Sequence, residues 1–470
     1  MGSVLVKKPN ILVFVLDQLS FRALDLYGGY CSMPFITSLA KDGMTVSDCY
    51  CSYPLCQPSR ASLWSGQYPH RNQVWSNGRQ CPITPLDESY PALGQTFSDA
   101  GYECRHFGKK HDGGALRGFI CSAEDEQRIP DDNPLFPYNM DTYADVYTVG
   151  QTLRYLKERN DHRPLMMVVD LINPHNICGW IGLNKGGVKN KSYDGPLPPL
   201  PENFYFDDIG NRPLPVQYLC CSHVRQSQVS QWKEEDFQYY LLAYRYYLEK
   251  ADRDMKRVYD AYVRAGLLND DTLIVFTSDH GDNITARRSV TKQVTLYEEV
   301  TRVPLIFSGP AVKKKGCMVH QCASLLDVFP TLVSYAGLAR PDDLDGIDLS
   351  PLFSGGVPEE REYIVSQWYT EWGYTISPGR MIRKDNVKYI FYLEGKGEEL
   401  YDLACDPFEK RNLVSDPSYS GVLDEMRHLF AKYISESGDP FYSLPVKADR
   451  RWRCHDIGYD KHTGPSAPEV

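Results

Sequence analysis

Two short stretches set metal-binding residue types directly after apolar runs. Asp17 and Gln18 follow ILVFVL (11–16), and Asp279 and His280 close an equally apolar run in DTLIVFTSDHGDN (271–283). Two carboxylates, an amide oxygen and an imidazole suit a divalent cation held mostly through oxygen. Each pair alone reads as well as the polar end of a strand. The carboxyl ends of parallel strands, however, meet at one edge of a sheet, so residues far apart in the chain are expected to converge there. A third stretch, LCQPSRASLWSGQYPH (55–70), puts Cys56, Pro58 and Arg60 within five positions at the start of what reads as a helix, an unusual setting for a thiol.

These residues need a scaffold. NILVFVLD (10–17), PLMMVVDLI (164–172), DTLIVFTSD (271–279) and VPLIFSG (303–309) are apolar without alternation, as strands covered on both faces are. Helical stretches separate them at 33–43, 91–102, 234–268 and 323–338. The alternation predicts an α/β fold, a large mostly parallel sheet flanked by helices, over residues 1–357. From about 358 the texture changes to short strands and turns followed by a helix at 421–437, which predicts a smaller C-terminal α+β unit (358–470) on an antiparallel sheet. Residues 181–232, Pro-rich and without a period, read as a long insertion over a site or a plain surface loop.

Composition removes several function classes. The chain has 470 residues, 42% hydrophobic and 24% charged, which suits a folded globular protein rather than a disordered or fibrous one. A net charge of −10 argues against nucleic acid as a partner, so an anionic substrate has to meet a local cluster of cations. No apolar run approaches the roughly 18 residues that span a bilayer, which argues against membrane insertion. ILVFVL runs straight into Asp17 and reads as a strand rather than a leader, so the visible sequence points to the cytoplasm, or to the periplasm or outside if a leader was removed. The fourteen cysteines show no CxxC pair or regular spacing and read mostly as small buried hydrophobes in a reducing compartment.

Asp17, Cys56-Gln57-Pro58-Ser59-Arg60, Gly108-Lys109-Lys110-His111, Pro174-His175, Asp279-His280-Gly281-Asp282 and Lys292 occur in one order along the chain. That order and the approximate spacings resemble the type I sulfatases of the alkaline phosphatase superfamily. YPH (68–70), YEEVTRVPLIF (297–307) and ELYDLACDPFEKRNL (399–413) extend the likeness over nearly the whole chain. The resemblance implies that Cys56 is oxidised by a formylglycine-generating enzyme, with Pro58 and Arg60 part of the signal it reads. The aldehyde product, hydrated to a diol, can expel sulfate from one oxygen by collapsing through the other, which a simple sulfated serine or cysteine cannot do. By the same resemblance Asp17, Gln18, Asp279 and His280, with the modified Cys56, hold a metal, calcium by similarity. Lys109 and Lys292 clamp sulfate and Arg60 holds the diol. His111 takes its spare proton, and His175 serves the leaving oxygen.

Departures from the family pattern are informative. Gln18 stands where many sulfatases have a second aspartate, and His280 where many have asparagine; the softer set admits Mn²⁺ more readily than an all-oxygen site would, and Mg²⁺ is a further candidate for the metal. The same pairing occurs in phosphonate monoester hydrolases. Arg287 replaces an expected histidine, which puts Arg287 or Arg288 forward for a substrate carboxylate or second sulfate, against the alternative of a surface arginine pair. His70 reads as scaffold. The leading expectation is a sulfuric ester hydrolase acting on a sulfated carbohydrate, with Trp180, the insertion and 33 tyrosines suggesting stacking platforms. The alternatives are a phosphonate monoester or phosphodiester hydrolase and a non-catalytic sulfoglycan-binding protein. Oligomeric state is left open.

Overall fold

The computed structural model describes residues 8–78, 86–123, 133–137, 145–205, 212–213, 215–217, 224–292, 295–369, 377–393 and 397–444. Strands β1 (Ile11–Asp17), β2 (Met44–Tyr50), β3 (Glu103–Gly108), β4 (Ile120–Cys121), β5 (Leu165–Pro174), β6 (Leu273–Ser278), β7 (Arg302–Ser308) and β8 (Cys317–Ser324) form one sheet in the order β4-β3-β5-β1-β6-β7-β2-β8. The run from β4 to β6 is parallel, and β7 alone opposes both its neighbours.

β1 shows why the strands read as continuously apolar. Leu12, Phe14 and Leu16 enter one core, with Tyr240, Tyr244, Leu248 and Met255 of the long helix Glu234–Arg264. Ile11, Val13 and Val15 enter the other, with Ala61, Leu63 and Trp64 of the helix Cys56–Ser65 and Phe329 and Leu332 of the helix Val328–Tyr335. A strand sandwiched in this way has no solvent face, and each large side chain it buries contributes about 1.5–3 kcal/mol.

The second sheet is antiparallel, β9 (Ile364–Trp368), β10 (Gly379–Lys384), β11 (Val387–Tyr392) and β12 (Gly397–Asp402) in the order β12-β11-β10-β9. The helix Ser420–Ser437 packs Leu423, Met426 and Phe430 against Val365, Ile382 and Tyr389 of this sheet. Its other side meets the large unit through Tyr50, Tyr53, Leu296 and Tyr297. Buried charges meet at the same seam: Lys388 pairs across it with Glu298 at 3.2 Å and within its own unit with Glu409 at 2.7 Å, and Arg383 pairs across it with Asp48 at 2.9 Å.

Strands β2, β3 and β8 were not marked by the apolar pattern, because β8 is an edge strand with partly exposed residues and β2 and β3 carry polar side chains. The helix expected from 323 begins instead at Val328. Ser324 accepts from Leu326 N–H while Asp327 accepts from Ser324 N–H, a reciprocal cap that ends β8 and starts a turn of 3₁₀ helix first. Among the described residues, no helix is long and apolar enough to cross a membrane.

Candidate active site

Four adjacent strands in the centre of the sheet end in a polar residue. In spatial order, Lys109 follows β3, His175 follows β5, Asp17 closes β1 and Asp279 follows β6. The β1–β5 register shifts between Leu16 and Asp17, and Gln18 adopts φ 72°, turning the chain sharply at the sheet edge. Gly108 and Gly281 make close approaches possible. A Cβ at either would lie 2.0 Å from a carbonyl oxygen, Asp170 O and Glu299 O respectively, so both loops pack backbone against backbone.

Cys56 is the first residue of the helix Cys56–Ser65, and its side chain faces this strand-end cluster rather than the apolar core. Its Sγ lies 3.2 Å from His280 Nε2, 3.2 Å from Lys292 Nζ and 3.8 Å from Asp17 Oδ1. Burial pushes the thiol pKa up, but Lys109, Lys292 and His280 outweigh it and hold it well below the ordinary value. His111, at φ 42°, is held below its ordinary value by burial. Burial lowers and Cys178 and Asp17 raise His175, with a net rise to about 9.

Asp17, Cys56, Asp279 and His280 each offer a ligand atom, all within 4.8 Å of one another and all buried. His280 directs Nδ1 at Gly281 O, 2.9 Å away, which leaves the Nε2 lone pair turned inward as a ligand requires. Burial and Cys56 raise the Asp17 pKa, but Lys109, His175 and Arg60 bring it below the usual carboxylate range. Burial and Asp17 push Asp279 up. Gln18 turns its Oε1 to Lys292 Nζ at 3.2 Å. Carboxylate oxygen, amide oxygen and imidazole nitrogen from two strand ends match the donor set of a divalent cation.

Arg60 has a different place from the one expected. Its Nε donates to Asp279 at 2.9 Å, one terminal nitrogen to Asp17 at 3.2 Å and the other to Asp170. With the whole guanidinium committed to carboxylates, Arg60 braces the candidate ligand residues Asp17 and Asp279 instead of holding the position-56 side chain. Asp170 was missed by sequence reasoning, although a charge inside the apolar run PLMMVVDLI required a buried partner. Also missed were Tyr240, whose hydroxyl donates to Asp282, and Tyr244, whose hydroxyl donates to Gln18 O; nothing in a helical tyrosine pattern singles them out.

Two other expectations are corrected. Arg287 does not face the site: its guanidinium pairs with Glu299 at 3.0 Å, donates to Phe408 O and lies 3.7 Å over the Tyr297 ring, and Arg288 sits against Phe204. Trp180 is 1% exposed, donates to Leu135 O and packs on Trp232 and Tyr240, so it is core and no sugar platform. His70 is scaffold, joining Gln367 and Ser437 across the seam between the two sheets.

Residues 9–338 match the Sulfatase family model, and residues 290–436 match the model for the C-terminal part of N-sulphoglucosamine sulphohydrolase. The chain belongs to the sulfatase family. This sulfatase is 42% identical over 469 residues to a Δ4,5-hexuronate-2-O-sulfatase of Bacteroides thetaiotaomicron, covering 99% of this chain and 96% of that one. It superposes on the structure of a 2-O GAG sulfatase with a TM-score of 0.91 at 41% identity, covering 99% and 100% of the two chains. A phosphonate monoester hydrolase of Agrobacterium radiobacter is 23% identical with a TM-score of 0.74 over 93% and 97% of the chains, a likeness of fold alone. The protein is therefore an enzyme that hydrolyses sulfate esters, and the reading as a non-catalytic binding protein is set aside.

Proposed function

We propose that this sulfatase removes the 2-O-sulfate of a Δ4,5-hexuronate in a glycosaminoglycan fragment, using formylglycine made from Cys56 and a calcium ion held by Asp17, Gln18, Asp279 and His280. The observation that carries the substrate is the 42% identity over an alignment that spans nearly all of both chains.

A calcium ion held by these residues would supply positive charge to polarise sulfate and acidify a neighbouring hydroxyl, and the hydrated aldehyde would supply two hydroxyls on one carbon. Lys292 beside Cys56 and Lys109 beside Asp17 offer fixed ammonium groups to the sulfate oxygens, where charge grows as the ester bond breaks. His111, whose imidazole interacts electrostatically with position 56, takes the proton of the spare hydroxyl. His175, 3.3 Å from Lys292 Nζ, is placed to give a proton to the departing sugar oxygen. Arg60 keeps Asp17 and Asp279 aligned. Cys56 is 1% and Arg60 0% exposed, so the formylglycine-generating enzyme has to meet CQPSR before the fold closes.

The test compares sulfate release from an unsaturated disaccharide sulfated only at the uronate 2-position with release from the same disaccharide sulfated only on the hexosamine, and with cleavage of an aryl phosphodiester. Turnover confined to the first supports the reading. A hexosamine sulfate or phosphodiester cleaved as fast overturns it.

A further inference from the structure

Gln18 is an ambiguous ligand, since a side-chain amide presents an oxygen or an N–H₂ group depending on how it is turned. In this enzyme the question is settled by its neighbours. Gln18 Nε2 lies 2.7 Å from Asp282 Oδ2, and Gln18 Oε1 lies 3.2 Å from Lys292 Nζ. A carboxylate only accepts and an ammonium only donates, so this is the one orientation that satisfies both. Asp282 is itself fixed: the Tyr240 hydroxyl donates to both its oxygens at 2.8 and 2.9 Å, and Ile284 N–H donates to Oδ1 at 2.7 Å.

The same hydroxyl has a second task. Tyr240 Oη accepts from Thr291 N–H at 3.0 Å, and Asn283 Nδ2 donates to the carbonyls of Thr291 (2.8 Å) and Lys292 (3.1 Å). Thr291 has φ 58°, a strained conformation that these bonds hold in place just before Lys292. Gln18, Tyr240, Asp282, Asn283 and Thr291 are all buried, so no competing water bonds weaken the arrangement.

We infer that Asp282 and Tyr240 are positioning residues: Asp282 locks the Gln18 amide with its oxygen toward the cation, and Tyr240 couples that lock to the backbone that carries Lys292. The inference rests on the proposed role of Gln18 as a calcium ligand. In Asp282→Asn, the new side-chain oxygen stays with Ile284 N–H and the new amide nitrogen turns to Gln18. Gln18 then flips and presents N–H₂ to the cation. In the double variant Gln18→Glu/Asp282→Asn, one oxygen of the introduced carboxylate accepts from the introduced amide while the other faces the cation, and the summed charge of the two positions is unchanged.

The experiment measures calcium affinity by calorimetry on chelator-stripped enzyme, apart from any turnover. Asp282→Asn is expected to bind calcium about 10- to 100-fold more weakly, with the double variant restored close to wild type. Tyr240→Phe is expected to weaken calcium binding less than Asp282→Asn does, because Ile284 N–H still holds Asp282, and to raise KM, because it frees the Lys292 backbone; an unchanged KM overturns the coupling role. Wild-type affinity in Asp282→Asn, or a folded double variant as weak as the single, overturns the lock. If Asp282→Asn does not fold, the double variant alone decides, since the lock requires it to bind as wild type does. Wild-type enzyme that binds no calcium defeats the metal reading itself, a different result from either.

Discussion

His280 Nε2 lies 3.2 Å from Cys56 Sγ, although the two residues stand 224 positions apart in the chain. One follows a central strand and the other opens a helix on the sheet's face, so the contact exists only because the large sheet is complete. Cys56 and the candidate cation ligands Asp17, Asp279 and His280 thus form one cluster whose geometry is fixed by the core.

Cys56→Ala is expected to bring sulfate release down to background while changing stability by about 1 kcal/mol or less, since the thiol touches polar groups and its loss opens no apolar cavity. Steady-state assays with urea denaturation check both halves. A large stability loss would place the thiol in the core after all.

Arg60→Ala leaves Asp170 and Asp279 buried without their shared cation and is expected to cost about 3–5 kcal/mol. Thermal or urea unfolding reads this directly. A variant as stable as wild type would refute the bracing role.

The strand ends were legible in the sequence because a carboxylate directly after a solid apolar run marks the point where a buried strand reaches the polar edge of its sheet, and adjacent strands bring such points together. Arg60 was found as a motif residue, but its three carboxylate partners come from three strands, which no local pattern shows. Trp180 and Arg287 were misread because their burial depends on distant segments: Trp232 covers the first, and Glu299 with Tyr297 receives the second. The expectation of a carbohydrate substrate therefore rested partly on a tryptophan that cannot reach one.

Trp180→Ala is expected to destabilise by about 3–5 kcal/mol through the cavity it leaves, while Trp180→Phe keeps KM for the saccharide near the wild-type value. Parallel stability and kinetic measurements separate packing from binding. A selective rise in KM for Trp180→Phe would restore the stacking role.

Glu409 gives a pH dependence at the seam between the sheets. Burial and the nearby Glu298 and Glu299 raise its pKa from 4.5 to about 7 against the pull of Lys388 and Arg287. Because the folded value lies above the unfolded one, its contribution is fully present below about pH 4.5 and is lost as pH rises through about 7. Glu409→Gln, permanently neutral, is expected to match wild type near pH 4.5 and to gain on it as pH rises to 7 and above. Denaturation of both proteins across that range checks the sign; a gap that moves the other way contradicts it.

The most direct test of the whole account pairs two readings on preparations with differing conversion of position 56: the fraction of that peptide carrying aldehyde, by mass spectrometry, and the rate of sulfate release from the 2-O-sulfated unsaturated disaccharide. Rate is predicted to rise in proportion to aldehyde and to vanish without it. Full turnover by enzyme that carries only the thiol would contradict the account.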